Sequence, residues 1–542
     1  MKSYIKSLID NALSTFTEIT EAPEYIIEQP KDATHGDLST NVAMLLSRML
    51  KKNPRQIAQD FITRFGINAD YISKVEIAGP GFINFKLTNA WVQDQLTEIT
   101  SQGSIFGKTK TFDGKKVLVE FVSANPTGPL TVGHGRNAVL GDTISRLYEW
   151  NGAEVTREYY FNNAGRQMRV LGESVKGRYG QLIGKDSNIP DGGYEGEYII
   201  NIAQEVKNDH ADSVWENDYV IFKDYAEKII FKDIQGTMNR LNIFMDTFFN
   251  ENSLYEDGSI DSTLERLRDK GLVYDSEGAV WFKTTNFGKE KDTVLVKSTG
   301  EPTYRLPDIA YHVKKLERGF DICVDVFGAD HIATYPDVLS GVGSLGFDSK
   351  QIDVLVYQFV TIVKDGKPFK MSTRKANFVT LDELMDEVGE DVTRFFFLMR
   401  APGTHLEFDI DAAKEASEKN PVFYLQYAHA RIQSILRKVA ESEEVEGTAN
   451  LRLLEHDSEI NLIKELLNFP DIITLTCKTK EPQKLITYLE AVAAQFTRFY
   501  HDCRVIGVEK DLAAARKELL VATAQVMKNG LGVLGISAPE QM

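Results

Sequence analysis

From Lys115 onward the chain reads as strand, turn and long helix: the apolar run KVLVEFV breaks into a glycine-rich turn, and helical spacing then continues to about Trp150. A second region of this kind covers DICVDVFGADHIATYPDVLSGVGSLGF and a third covers IDVLVYQFVTIV. Buried β-rich runs separated by helices predict a doubly wound parallel sheet. Between its halves a polar stretch from Gly184 to Glu197, GKDSNIPDGGYEGE, predicts an insertion that continues as helix through Asn252 and forms a lobe over the ligand edge of the sheet. Upstream, MKSYIKSLIDNALSTF patterns as an amphipathic helix. DLSTNVAMLLSRMLKK patterns as a second helix, capped by Asp37 or Ser39, with Val42, Leu45, Leu46 and Met49 at helical spacing. GPGFINFKL reads as a glycine turn and a strand, and GSIFGKTKTFDGKK as a polar linker. The linker's first two glycines have three residues between them where a phosphate loop needs four, and no apolar strand leads into it. After about Ala416 the spacing becomes almost entirely helical. Leu425, Ala428, Ile432, Ile435 and Val439 form one apolar stripe; Leu485, Leu489, Val492, Phe496, Phe499 and Cys503 form another. ESEEVEGTAN reads as an exposed acidic loop between helices.

At 542 residues the chain is too long for one core. The patterns divide it into an N-terminal α+β domain over 1–110, a Rossmann-like doubly wound domain over 111–415 with an insertion around 170–290, and an all-α helical bundle over 416–542. The multidomain α/β reading fits 42% hydrophobic and 26% charged residues, a globular rather than disordered composition. No apolar run is long enough to span a bilayer, and the N-terminal helix lacks the continuous apolar core of a signal peptide, so a cytoplasmic location is expected. Cys323, Cys477 and Cys503 are odd in number, far apart and without C-x-x-C spacing, which fits a reducing compartment and speaks against a structural zinc site. The net charge of -17 counts, on average, against a phosphate-rich partner. An acidic body can nonetheless carry a local basic face.

The stretch EFVSANPTGPLTVGHGRNAVLGD, Glu120 to Asp142, carries the candidate chemistry. A parallel strand that ends in a tight turn before a helix N-terminus is where open α/β sheets bind ligands. The first amides of that helix are unpaired and partly positive, which suits a phosphate. Gly133 and Gly135 remove Cβ atoms and let a nucleotide approach, and His134 between them can donate a hydrogen bond to phosphate oxygens. A tightly packed β-α turn with an incidental histidine is the alternative use of the same residues.

T-V-G-H, Thr131 to His134, is similar to the H-I-G-H motif of class I aminoacyl-tRNA synthetases. Downstream, FKMSTRKANFVTLDEL resembles their second motif, K-M-S-K, at Lys370 to Thr373. The surroundings resemble arginyl-tRNA synthetases in particular: E-F-V-S-A-N-P-T-G-P before the first motif, Y-R-L-P-D after the insertion, G-A-D-H before the second, HGDLSTNVA near the start and FTRFYHDCRV near the end. Two positions depart from the motifs: Thr131 replaces a histidine and Thr373 a lysine, leaving Arg374 and Lys375 as nearby cations.

The resemblance implies that an arginine carboxylate attacks the α-phosphate of ATP, brought as its magnesium complex, and that arginine then passes to the terminal adenosine of arginine tRNA. His134 and Lys370 would be the catalytic groups, and Thr131, Gly133, His134, Gly135, Lys370, Met371 and Ser372 would contact the nucleotide. Asp308 and Tyr304 would hold the guanidinium with Glu120 lining the pocket, while Ser123, Asn125, His331 and His134 would hold the amino-acid end. The spacing from Tyr304 to Asp308 lets both side chains point into one cavity, although spacing alone favours Asp308 as a helix cap after Pro307. The loop VKDGKPFKMSTRK has the cation density of a closing segment, or of an ordinary solvated loop. The resemblance further implies an N-terminal domain that touches the tRNA body, a C-terminal anticodon-binding domain, no tightly bound metal, no membrane partner and a monomer. A tRNA-binding paralogue with impaired catalysis, and a class I synthetase for another amino acid, are the competing readings. The first draws on Thr131 and Thr373. Against the second, a glutamate enzyme would want cations where Glu120 and Asp308 stand.

Overall fold

The computed structural model describes residues 2–19, 21–30, 32–368, 380–415, 417, 419–441 and 449–542. Five strands make the central sheet: β1 (Lys116–Glu120), β2 (Glu154–Phe161), β3 (Thr247–Asn250), β4 (Ile322–Gly328) and β5 (Ile352–Tyr357). All neighbours are parallel, in the order β5-β4-β1-β2-β3. Helix α1 (Val132–Trp150) carries the chain from β1 to β2, ending where the helical spacing predicts. Helix α2 (Gly165–Leu182) opens the insertion, and helix α3 (Arg305–Glu317) leads into β4 on the other side of β1. Strand order therefore reverses between β1 and β4, the position at which open sheets take their ligands.

Two sequence expectations change here. The helical lobe extends only through Tyr219–Arg240, and Thr247–Asn250 returns to the main sheet as its edge strand. The run IDVLVYQFVTIV is two strands: β5 stops at Tyr357, and β6 (Val360–Lys364) joins a second small sheet with Lys367–Pro368 and β7 (Leu406–Asp409). Helix α4 (Glu390–Leu398) precedes β7.

The N-terminal unit is a four-stranded antiparallel sheet with helices, as its pattern suggests. Its second helix, Val42–Leu50, starts after Asn41; neither Asp37 nor Ser39 caps it, because both lie at the preceding strand, where Asp37 Oδ2 accepts the Leu87 backbone N–H at 2.8 Å. Val42 and Leu46 of the predicted stripe are buried, whereas Leu45 and Met49 are exposed. The expected polar linker is a packed clasp: Phe106 is buried, Gly107 lies against Phe469, and Asn529 Nδ2 donates to the carbonyls of Gly103 and Phe106 at 3.0 Å each. Both predicted C-terminal stripes face inward on helices Pro421–Ala440 and Gln483–Asp502. Most of ESEEVEGTAN, residues 442–448, lies outside the described residues. Among the described residues no helix is long and apolar enough to cross a membrane.

Under the sheet's ligand edge runs a row of acids. Register places Asp325 of β4 beside Glu120 of β1, and Glu120 beside Glu158 of β2. Three adjacent buried carboxylates would repel one another without cations. Helix α3 supplies them at helical spacing on the face it presents to the sheet. Lys315 Nζ lies 2.5 Å from Glu120 Oε2 and 2.6 Å from Asp325 Oδ1, fully enclosed. Arg318, just past the helix, grips Glu158 with two bonds of 2.6 and 2.7 Å. His312 faces Asp325 Oδ2 at 2.8 Å through Nε2 and the Asp308 carbonyl at 2.6 Å through Nδ1. Both partners are acceptors, so each ring nitrogen faces an oxygen.

On the other face α1 packs so closely that a Cβ at Gly141 would lie 2.2 Å from Phe121 Cγ. Gly141→Ala is therefore expected to lower stability by about 1–3 kcal/mol, outweighing the gain in helix propensity of up to about 1 kcal/mol. A raised midpoint in denaturant titration would show instead that α1 lifts freely from β1.

Candidate active site

β1 ends in two strained residues: Val122 and Ser123 have φ of 66° and 46°, the left-handed region that a β-branched side chain rarely enters. Asn137 of α1 holds them, its Oδ1 accepting the Val122 N–H at 2.6 Å while its Nδ2 donates to the Val326 carbonyl at 2.8 Å. One side chain thus ties the ends of β1 and β4 to the helix between them. The chain then enters α1 at Thr131, whose backbone N–H donates to His134 Nδ1 at 3.1 Å. With Nδ1 accepting, the proton of a neutral ring is on Nε2. Burial lowers the His134 pKa, so the ring is a neutral Nε2–H donor at the start of a helix, next to unpaired amides.

The two glycines flanking His134 do different work. A Cβ at Gly133 would meet nothing closer than Thr131 Oγ1 at 3.7 Å, so this side of the turn is open to a ligand. A Cβ at Gly135 would press on Leu381 at 2.6 Å and Phe397 at 2.9 Å. Gly135, expected at the nucleotide, is required for packing.

Across β4, Asp308, His312, Phe327 and His331 line a recess. His331 is exposed at its rim, its ring stacked on Phe327 with centroids 4.9 Å apart. Among the described residues no donor meets the Asp308 carboxylate. Burial, with Glu120 and Glu251 adding and His312 and Lys315 opposing, pushes its pKa up to about 7. Glu251, directly after β3, is a buried acid that also lacks a cation among the described residues: Tyr160 Oη donates to it at 2.6 Å and Asn162 Nδ2 at 2.8 Å, and burial raises its pKa. The acids of the row are paired with Lys315 and Arg318, whereas Asp308 and Glu251 have no cation among the described residues.

Two further predicted site residues stand differently from expectation. Tyr304 is 82% exposed and does not line the Asp308 recess, because it precedes α3 and turns outward. Nor is Asp308 the helix cap, since α3 begins three residues earlier, at Arg305. Glu120, expected along the pocket wall, is 3% exposed and belongs to Lys315. Ser123 uses its hydroxyl to donate to Glu120 Oε1 at 3.0 Å and to accept the Tyr160 N–H at 3.2 Å; Asn125 accepts from the Asn162 N–H and donates to Gln167 Oε1. Lys370, Met371 and Ser372 lie outside the described residues. Glu251 escaped the sequence reading because β3 reads as part of the helical lobe; its signal is an acid closing the short apolar run TFFN. Among the described residues the group able to hold a metal is Glu120, His312 and Asp325, and the Lys315 ammonium bridges both of its carboxylates.

Residues 3–87 match a family model described as "Arginyl tRNA synthetase N terminal domain", residues 95–397 one described as "tRNA synthetases class I (R), catalytic domain", and residues 425–542 one described as "DALR anticodon binding domain". A curated arginine–tRNA ligase of Salinibacter ruber (strain DSM 13855 / M31) is 52% identical over 565 residues, with 100% of both chains covered. One of Desulfotalea psychrophila (strain LSv54 / DSM 12343) is 50% identical over 551 residues, again with 100% of both covered. The solved Thermus thermophilus arginyl-tRNA synthetase superposes with a TM-score of 0.78 at 21% identity, covering 99% of this chain and 100% of that one, a likeness of fold. A parallel sheet with its cradle and acidic recess at the switch point, matched from end to end by relatives sharing half its residues, places the chain in the arginyl-tRNA synthetase family.

Proposed function

We propose that the chain activates L-arginine with ATP and transfers it to the 3′-terminal adenosine of arginine tRNA. The observation that carries this reading is the pair Asp308 and Glu251, acids without a cation among the described residues, beside a row in which every buried acid has one. A guanidinium supplies a planar fork of donors for two carboxylates, which the point charge of lysine cannot match. The arginine carboxylate, already ionised, forms a bond to the α-phosphorus as the bond to pyrophosphate breaks, so no general base is needed. Catalysis then rests on positioning and charge stabilisation. His134 donates its Nε2–H to the phosphates beside the first amides of α1, and Thr131 adds a hydroxyl. Lys370, Met371 and Ser372 complete the nucleotide contacts on this reading, with His331, Ser123 and Asn125 toward the amino-acid end. Residues 1–110 would contact the tRNA body and 416–542 the anticodon.

The test is ATP–pyrophosphate exchange with each amino acid, with and without its tRNA. Exchange with arginine, only when arginine tRNA is present, is the expected result; exchange with glutamate, or with none, removes the reading. His134→Ala is expected to lower kcat by about 10²–10³-fold, the usual cost of one donor to developing charge. Because the body carries a net charge of -17, tRNA binding must use local basic faces and should weaken steeply with salt. A flat salt dependence would count against tRNA as the partner.

A further inference from the structure

Arg136 lies in α1, two residues past His134, with no exposed surface. Its guanidinium has no carboxylate partner among the described residues. Nη1 donates to the carbonyls of Gln358 at 2.6 Å and Thr404 at 3.0 Å, Nη2 donates to that of Ala401 at 3.1 Å, and Nε has no partner. Burial lowers its pKa to about 10, which still leaves it charged near neutrality. A buried, unneutralised cation is a poor stabilising device, since an apolar side chain of similar volume would avoid its desolvation cost. Its acceptors are informative. Gln358 stands in the break between β5 and β6, and Ala401 and Thr404 stand in the loop from α4 to β7. The three carbonyls come from the entry side of the small β6–β7 sheet. At the same helix start, the Leu130 carbonyl accepts the Leu381 N–H at 2.8 Å and Thr131 bridges Thr380. Tyr357 Oη, at the end of β5, lies 3.5 Å from the Gly133 carbonyl. The first turn of α1 is thereby held against these segments, which also meet one another directly, the Gln358 N–H donating to the Pro402 carbonyl at 3.0 Å and Lys364 pairing with Glu387 at 2.9 Å.

We propose that Arg136 is a positioning residue for amino-acid activation: its three carbonyl bonds fix the first turn of α1 against the β5–β6 break and the 401–404 loop, and so aim the His134 Nε2–H at the nucleotide phosphates. The proposal rests on the arginine-activating reading given above. Arg136 acts through His134, away from the Asp308 recess, so it sets kcat and leaves arginine affinity alone. Arg136→Lys keeps the charge and the stem but loses the planar fork that reaches three carbonyls at once. The experiment measures ATP–pyrophosphate exchange, arginine binding by calorimetry and thermal unfolding for the full chain and for Arg136→Lys, with arginine tRNA present. The expected result is a fall in kcat of about 30-fold or more, of the size seen when a reacting group is misplaced. Arginine Kd should stay within about twofold. Arg136→Lys combined with His134→Ala should be hardly slower than His134→Ala alone, because one acts through the other. Exchange within threefold of the unaltered chain overturns the proposal. So does a parallel loss of arginine binding, a variant that fails to fold, or full additivity of the two substitutions. An unaltered chain without arginine-dependent exchange defeats the functional reading instead, which keeps the two failures apart.

Discussion

Asp308→Asn is expected to lower kcat/KM for arginine by about 10²–10³-fold or more, the cost of truncating one partner of a buried charge pair, and at the same time to raise the thermal midpoint. The two effects share one cause. The folded pKa of about 7 lies above the ordinary carboxylate value of 3.8, so the fold holds a proton on Asp308 that the unfolded chain releases between those values. The contribution of this group to stability is therefore greatest in acid and is lost as pH rises through about 7. Asparagine removes the penalty, so the gain in midpoint should be larger at pH 8 than at pH 5.5. Arginine binds the ionised form, and its KM should climb about tenfold per unit as pH falls below 7. Exchange kinetics and thermal scans at the two pH values check both halves. Loss of tRNA binding alongside arginine use, or a gain in stability greater in acid, would mean that Asp308 holds the fold rather than the substrate.

Lys315→Met should destabilise the chain by about 3–5 kcal/mol, the usual cost of stranding a buried charge. The ammonium lies between Glu120 and Asp325; burial alone would lower its pKa, but the facing Asp325 and Glu120 charges win and raise it. Removing it leaves Asp325 with His312 and leaves Glu120, among the described residues, with only the Ser123 hydroxyl. Adding Glu120→Gln should therefore recover at least half of the loss, and the coupling in the double-mutant cycle measures the pair. Urea titrations of the two single variants and the double decide it. A single-variant cost below about 1 kcal/mol would show that water reaches the acid row.

Glu120 shows where sequence reasoning ends. An acid inside an apolar strand asks for a buried partner, and that much is readable in KVLVEFV. Which partner it finds is not: Lys315 is 195 residues away in sequence, and the same carboxylate could equally have faced a substrate cation. Tyr304 and Asp308 make the same point at short range. Their spacing suits a shared helix face, but α3 begins between them, and one turns outward while the other faces the recess. Gly133 and Gly135 are identical in composition and adjacent to the same histidine, yet only the contact with Leu381 and Phe397 separates a ligand-facing glycine from a packing glycine.

By itself the sequence determined what repeats locally: the length of α1, the apolar stripes of the C-terminal helices, the glycine-histidine turn and the motifs that carry the family. These follow from a side-chain period of 3.6 or 2 and from turn chemistry, which neighbouring residues set among themselves. The tertiary structure alone decided that TFFN is the edge strand β3, that Glu251 is close enough for its charge to act on Asp308, and that Glu120, Asp325 and Glu158 are already neutralised. The reason is physical: the register of parallel strands and the face a helix turns to them are fixed by burial across the whole sheet, and charge is matched only after distant segments have met.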